Sequence, residues 1–284
     1  PGRTEWEGFT TATRAAAAGG ITTIVDMPLN SIPVTTSAAA LAIKLAHALP
    51  KLHVNCGFWG GVVPGNAGEL APMSAGGIMG CKAFLCHSGI DDFGASDDAT
   101  LRVAMTELAR LDLPLIAHAE IEQAEPVHGP PQRYASWLSA RPPAWEDTAV
   151  AMLIRLCRET GCRTHVVHLS SASAVSLLVA ARSEGLPITS ETCPHYLCLT
   201  AEEVPDGRTE FKCAPPIRNA ENREALWRAL AEGHIDFVVS DHSPCAPHLK
   251  LHDRGDFHDA WGGVASLQLG LSTVWTEAAQ RGHS

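Results

Sequence analysis

The sequence has few charged and few aromatic residues, and it contains no long apolar run. Charged residues make up 18% of the 284 positions and aromatic residues 6%, whereas hydrophobic residues make up 45%. This balance excludes an intrinsically disordered chain, which stays unfolded through high charge and low hydrophobicity. No apolar run approaches the roughly 18 residues that a membrane-spanning helix needs. The composition therefore predicts a soluble folded protein with a large core and no membrane partner.

Basic residues are also scarce. Lysine and arginine number 21 against 31 aspartates and glutamates, which gives a formal net charge of −10. Nucleic acids and anionic membranes are bound through a basic face, and the composition argues against one. We therefore expect a small-molecule substrate and no nucleic-acid partner.

The sequence lacks a CxxC pair, and we see no secretory leader in it. Its nine cysteines are scattered, mostly within apolar runs. This usage favours reduced thiols in a cytosol-like compartment, so we expect a cytoplasmic protein. The sequence starts at Pro1, so any targeting segment would lie upstream of it.

Apolar, β-branched runs recur at a steady interval, and amphipathic patterns typical of helices separate most of them. Such alternation predicts parallel strands joined by helices, and 284 residues suit a (β/α)8 barrel. We predict an incomplete barrel with one strand missing, as one domain over residues 1–284. The predicted strands are 21–28, 52–62, 78–85, 113–120, 163–170, 188–197 and 235–242. The predicted helices are 6–18, 37–49, 97–111, 145–160, 172–183, 221–232 and 264–279.

Polar residues stand at or near the carboxyl ends of four predicted strands: Lys82, His118, His168 and Asp241. In a barrel those ends converge, and imidazole, carboxylate and lysine together suit zinc or a neighbouring metal. Each residue alone has a plainer explanation, such as a hydrogen-bonded structural histidine, a turn cap, or a lysine that reaches solvent. The joint pattern favours a metal site. Three further histidines are candidates for supporting the ligands or contacting substrate: His165, His195 and His242.

Lys82 stands within the apolar run "IMGCKAFL". Burial alone lowers a lysine pKa by about 3–5 units, and a neutral amine can add carbon dioxide to form a carbamate. The two carbamate oxygens would bridge two cations, which lower the pKa of water and polarise a carbonyl. Asp241 would then act as general base and afterwards as general acid toward the leaving nitrogen.

Several segments resemble the allantoinases, within the cyclic amidohydrolases that also include dihydroorotase and hydantoinase. The matching segments are "PGRTEWEGF", "MPLNS", "KAFLCHSG", "HAE", "SWLSARP", "HLSSA", "TCPHYL", "FKCAPPIR", "SDHSPC" and "WGGVASLQLGL". The resemblance implies hydrolysis of the hydantoin ring of allantoin to allantoate by two divalent metals, with zinc the first choice, in a homotetramer. It makes Lys82 the carbamylated bridge, His118 and His168 ligands of one metal, and Asp241 both ligand and base. It also implies substrate contacts from Asn30, Ser243 and the backbone at Cys213 and Ala214.

The sequence departs from that family at both ends. The family places a His-x-His pair just before the segment that begins here, and a tail that helps to build a small β-sandwich after the last helix. Neither is present, so we expect a longer gene product. Two alternatives stay open: another cyclic amidohydrolase, of the hydantoinase, dihydropyrimidinase or dihydroorotase type, and a non-catalytic homologue. The four filled ligand positions favour an enzyme, and an amide at Asn30 in place of an arginine clamp favours allantoin over dihydroorotate.

Overall fold

The computed structural model describes residues 1–123 and 129–283. Short parallel strands form the centre. They are β1 (Thr23–Asp26), β2 (Asn55–Phe58), β3 (Gly60–Gly61), β4 (Cys81–Phe84), β5 (Leu115–His118), β6 (Thr164–Val166), β7 (Ile188–Thr192) and β8 (Phe237–Val238).

Every strand pairs with its neighbour in the chain, and all pairs are parallel. β1 pairs with β2, and the others follow in the order β3-β4-β5-β6-β7-β8. β2 and β3 belong to one extended run, interrupted at Trp59, that turns from β1 toward β4. All seven predicted runs contain strands, but the prediction 188–197 was wrong in its second half: β7 ends at Thr192, and a helix begins at Pro194, which has no N–H for the strand ladder. The sequential parallel order is that of a (β/α)8 barrel.

Helices follow the strands on the outside of the sheet. They are α1 (Phe9–Ala18), α2 (Ala38–Ala48), α3 (Leu70–Ala75), α4 (Asp98–Arg110), α5 (Tyr134–Ala140), α6 (Pro143–Thr160), α7 (Val175–Ser183), α8 (Pro194–Cys198), α9 (Ala220–Ala231) and α10 (Gly270–Gln280). Capping explains several of the helix starts. The side chains of Ser37, Asp97 and Asn219 each accept a hydrogen bond from the backbone N–H three residues on.

One predicted helix begins later than expected. The pattern 264–279 predicts a helix from Val264, but α10 starts at Gly270. Val264 instead forms an isolated parallel bridge with His242, and Ser243 donates its N–H to the Val264 carbonyl. The segment therefore continues the strand layer before it turns into the helix.

The core lies between the strands and the inner faces of the helices. On α4, Leu101, Met105 and Leu108 are fully buried at helical spacing, and they belong to the same cluster as Leu115 on β5 and Leu153 on α6. All nine cysteines are free thiols, as the sequence predicted. Within residues 1–123 and 129–283, no helix combines the length and the apolar character needed to cross a membrane.

The sheet is open on one side. β1 pairs only with β2, and β8 pairs only with β7, so in the described part of the chain each leaves one edge without a strand partner. This is the gap predicted for an incomplete barrel. All strands run the same way, so their carboxyl ends meet at one face.

Candidate metal centre

The four predicted ligands come together at the carboxyl ends of the strands. Lys82 lies within β4 and His118 ends β5, whereas His168 and Asp241 follow β6 and β8. Lys82, His118 and His168 are 2%, 3% and 4% exposed, which removes the plainer explanation of a lysine in solvent. The Lys82 ammonium is close enough to influence the titration of both imidazoles and of Asp241.

The two imidazoles face each other across a short gap. Nδ1 of His118 lies 3.1 Å from Nε2 of His168. Two nitrogens about 2.0–2.1 Å from one tetrahedral zinc lie ~3.4 Å apart, so the pair is already near the spacing that a metal would bridge. The other nitrogen of His168, Nδ1, is buried without a hydrogen-bond partner. Burial lowers the pKa of both rings, which leaves neutral imidazoles, the form that binds metal. These residues fit a divalent cation.

Burial of Lys82 favours the neutral form of its amine. Burial lowers the pKa of its amine to about 8, although the carboxylates of Asp241 and Glu191 act in the opposite direction. An appreciable fraction is therefore a neutral nucleophilic amine near pH 7–8. The opposite shift occurs at Asp241, where burial raises the carboxyl pKa to about 6 and the Lys82 charge opposes it.

Three residues of the site have a left-handed backbone conformation, which Asp112 and Leu251 share elsewhere. Asn30, His168 and Asp241 have φ values of 58°, 42° and 41°, in the left-handed region that only glycine enters freely. Such conformations cost about 1–3 kcal/mol each and concentrate at functional sites. Three of the residues chosen from the sequence therefore carry backbone strain.

Sequence reasoning missed two site residues: Glu120, which is buried, and Arg141, which is half-buried. The Nε2 of His118 lies 2.7 Å from Glu120 Oε2, and Arg141 donates to the same carboxylate at 2.6, 3.0 and 3.2 Å. Burial alone would raise the Glu120 pKa, but Arg141 and His118 together lower it to about 2. The signal in the sequence was the "HAE" motif, since residues two apart in a strand point to the same face.

Glu120 also belongs to a second cluster of potential ligands, with Cys86 and His118. The Glu120 carboxylate is already paired with Arg141. Burial raises the pKa of the Cys86 thiol to about 12, and the charge of Glu120 acts in the same direction. A carboxylate paired to guanidinium and a protonated thiol are poor ligands. Glu120 is therefore better placed to support His118 than to bind a cation.

The three additional histidines differ in their surroundings. His165 has its Nδ1 2.7 Å from the Thr189 hydroxyl and its ring stacked on Phe237. Its Nε2 lies 3.0 Å from Glu191 but makes no hydrogen bond. His195 has both ring nitrogens buried without a hydrogen-bond partner, and burial lowers its pKa to about 3. Its imidazole lies within 4.8 Å of potential ligand atoms of Cys193 and Asp241.

His242 connects two distant parts of the chain. Its Nε2 lies 2.5 Å from Glu7 Oε2, and its Nδ1 accepts from the backbone N–H groups of Ser266 and Leu267 at 3.1 and 3.3 Å. Both ring nitrogens are thus used within the protein. His242 holds segments together beside Asp241.

The predicted substrate-contacting residues lie around the same face. Asn30 is exposed in the loop after β1, and Ala214 is half-buried. Cys213 is buried, and its carbonyl accepts from Trp137 Nε1 at 3.1 Å. The Ser243 hydroxyl donates to the Asp241 carbonyl at 3.0 Å and accepts from Val264 N–H at 3.1 Å. Their roles in substrate binding stay predictions.

Comparison with known proteins identifies relatives along the whole chain. Residues 1–269 match the profile of the amidohydrolase family. The chain is 53% identical to an allantoinase of Streptomyces avermitilis, covering all of this chain and 64% of that protein. It is 50% identical to a mitochondrial allantoinase of Aquarana catesbeiana, covering 100% of this chain and 59% of that one. Among solved structures, an L-hydantoinase (dihydropyrimidinase) of Arthrobacter aurescens superimposes with a TM-score of 0.90 at 32% identity, covering 96% of this chain and 62% of that one.

Proposed function

Because the chain belongs to the amidohydrolase family, as its resemblance predicted, we propose that its protein is an allantoinase that hydrolyses allantoin to allantoate. The chain spans about 60% of the length of the curated relatives it matches, and their names provide the substrate. The observation that carries the proposal is the convergence of Lys82, His118, His168 and Asp241, with facing imidazole nitrogens 3.1 Å apart.

We propose that Lys82, as a carbamate, together with His118, His168 and Asp241 would hold two divalent ions. Zinc is the first choice, because two imidazoles and oxygen donors suit it. When bound, the ions acidify water and polarise a carbonyl oxygen. The buried amine with a pKa of about 8 supports the carbamate, since only the neutral form adds carbon dioxide.

The residues of the chain then perform the remaining tasks. Asp241 accepts a proton from the attacking water and delivers it to the ring nitrogen that leaves. Asn30, Ser243 and the backbone at Cys213 and Ala214 are proposed to hydrogen-bond the neutral, donor-rich substrate.

The nearest competing function is hydrolysis of other hydantoins, which the similarity to the L-hydantoinase structure favours. Steady-state rates of the full-length protein on allantoin, hydantoin and dihydroorotate distinguish them. A site whose buried polar groups pair with the substrate discriminates by as much as ~10⁴ against analogues that leave them unpaired. We expect the highest kcat/KM on allantoin. An equal or higher value on hydantoin or dihydroorotate would instead assign the protein to the hydantoinase or dihydroorotase type.

We further propose a homo-oligomer, a tetramer by resemblance, in a reducing compartment. The nine free thiols support a reducing environment. The relative from Aquarana catesbeiana is named as mitochondrial, so both the cytoplasm and mitochondria are locations to test. Light scattering of the full-length protein would give its mass, and fluorescent tagging its location.

A further inference from the structure

Glu120 is a fully buried carboxylate that touches a proposed metal ligand without being suited to bind metal itself. Its side chain has no solvent exposure. One of its oxygens lies 2.7 Å from Nε2 of His118, and Arg141 contacts the same carboxylate with both Nε and Nη2. Arg141 donates a hydrogen bond to each carboxylate oxygen, so Glu120 faces His118 as a hydrogen-bond acceptor.

This contact determines where the single proton of a neutral imidazole lies. The ionised carboxylate accepts from Nε2, so Nε2 carries the hydrogen and Nδ1 keeps its lone pair. That lone pair faces His168, whose Nε2 is 3.1 Å away. We propose that Glu120 is a positioning residue that fixes the tautomer and orientation of His118 for metal binding, and that Arg141 holds Glu120 in place. This inference rests on the proposed metal centre.

Arg141 is itself held firmly at the turn between α5 and α6. Its guanidinium lies over the rings of Trp137 and Trp145, at 5.3 and 5.5 Å from their centroids. The backbone carbonyl of Arg141 accepts from Arg218 Nη1 at 3.3 Å. A guanidinium fixed on several sides can orient a carboxylate more sharply than a flexible surface pair.

A second buried pair has a similar arrangement next to His168. Arg218 contacts Glu146 at 2.5 Å, and the other Glu146 oxygen accepts from the backbone N–H groups of Ser170 and Ser171 at 3.0 Å each. Ser170 and Ser171 lie two and three residues after His168. The Arg141–Glu120 pair thus contacts His118, and the Arg218–Glu146 pair anchors the backbone after His168. Arg218 links the two pairs by its hydrogen bond to the Arg141 carbonyl, which supports a positioning role for these four residues.

Nitrogen-15 NMR of the imidazoles in the metal-free protein tests the proposal directly. We expect wild-type His118, assigned by comparison with His118→Asn, to carry its proton on Nε2. In Glu120→Gln the side-chain size is kept but the charged acceptor is lost, so the tautomers should mix. Cobalt and zinc affinities, measured by competition with a chelator, should fall by ~10–100-fold in that variant.

Glu184→Gln is the matched control, because Glu184 forms an exposed ion pair with Arg158. It should change neither the tautomer nor the affinity. A wild-type His118 protonated on Nδ1 would overturn the proposal. Unchanged tautomer and affinity in Glu120→Gln would also overturn it. The tautomer requires neither metal nor substrate, so a protein with the expected tautomer and no activity on allantoin would reject the proposed function alone.

Discussion

Lys82 is an amine buried among the ligand side chains, and the proposed carbamate explains why it lies there. Lys82→Ala should lose the bridge, and with it most bound metal and activity, in the full-length protein. A short carboxylic acid added in solution should partly restore the rate, because it supplies the two lost oxygens. Lys82→Arg should fail equally, since guanidinium does not form a carbamate. Metal analysis and rates with and without the acid provide the measurement.

Lys212 is the matched control for that rescue. It is also buried, burial lowers its pKa to about 8, and its ammonium donates to the carbonyls of His258 and Ala260. Lys212→Ala should not respond to added carboxylic acid. A Lys82→Arg variant with near-normal rate and metal content would exclude the carbamate.

Substitution of Asp241 tests its role in metal binding separately from its role in proton transfer. Asp241→Asn keeps an oxygen for the metal but removes the base, so we expect a loss of ~10²–10⁴ in kcat with metal content largely retained. Rates and metal analysis on the same preparation test this. Loss of metal in parallel with activity would show that Asp241 acts mainly as a ligand.

Lys212 also predicts a pH dependence of stability. Its pKa is lowered from 10.5 to about 8 in the folded protein, so between those values the unfolded chain binds more protons. The free energy of unfolding of wild type, relative to Lys212→Met, should therefore rise as pH increases from about 8 to about 10.5. The rise should be on the order of 3 kcal/mol. Urea unfolding of both proteins at several pH values measures it, and a constant difference would contradict the prediction.

The sequence predicted the four ligand positions because each stands at the end of an apolar run, where a polar residue is unexpected. It did not predict Glu120, Arg141 or Glu191 as site residues. Their importance depends on partners that are distant in sequence, such as the 21 positions between Glu120 and Arg141. Charge pairing of this kind leaves no periodic pattern, so only the folded arrangement reveals it.

At the scale of elements, the backbone at the start of β4 lies very close to Pro114 and Trp59. Gly80 has a φ of 154°, and an added Cβ would lie 2.6 Å from the Pro114 carbonyl oxygen and 2.7 Å from the Trp59 ring. Gly80→Ala should destabilise the protein by roughly 1–3 kcal/mol and shift the strand that carries Lys82. Thermal or urea unfolding gives the change, and Gly68→Ala, with open space around it, is the control. Equal stability of the two variants would disprove the steric argument.

The strands and long helices were predictable because their apolar patterns span whole elements. The helices α3, α5 and α8 were missed, since five to seven residues are too few to display a helical period. No predicted helix or strand covers residues 121–144, but α5 lies within them and α6 begins at Pro143; residues 124–128 lie outside the described part of the chain. None was predicted over residues 243–263 either, and the structure has one turn of 3-10 helix there, Pro247–Lys250.

At the scale of the whole molecule, an apolar patch flanks the open side of the sheet. Leu269, Leu271 and Trp275 are 61%, 57% and 66% exposed. Leu271 lies against Gly20, just before β1. Unpaired strand edges beside exposed apolar side chains favour association.

The 284-residue chain by itself should therefore associate as its concentration rises, and Leu271→Lys with Trp275→Lys should reduce that association. Light scattering over a concentration series measures it. Val103→Lys replaces an apolar residue of similar exposure, 58%, on α4 and serves as control. Equal association of all three chains would show that this patch is not responsible.

The contact between Glu7 and His242 joins residues 235 positions apart, and this separation affects how the protein is made. A ribosome adds about 5–20 residues each second, so Glu7 waits roughly 10–50 s for its partner to be synthesised. The contact that joins the segment before α1 to the segment after β8 therefore forms late in synthesis.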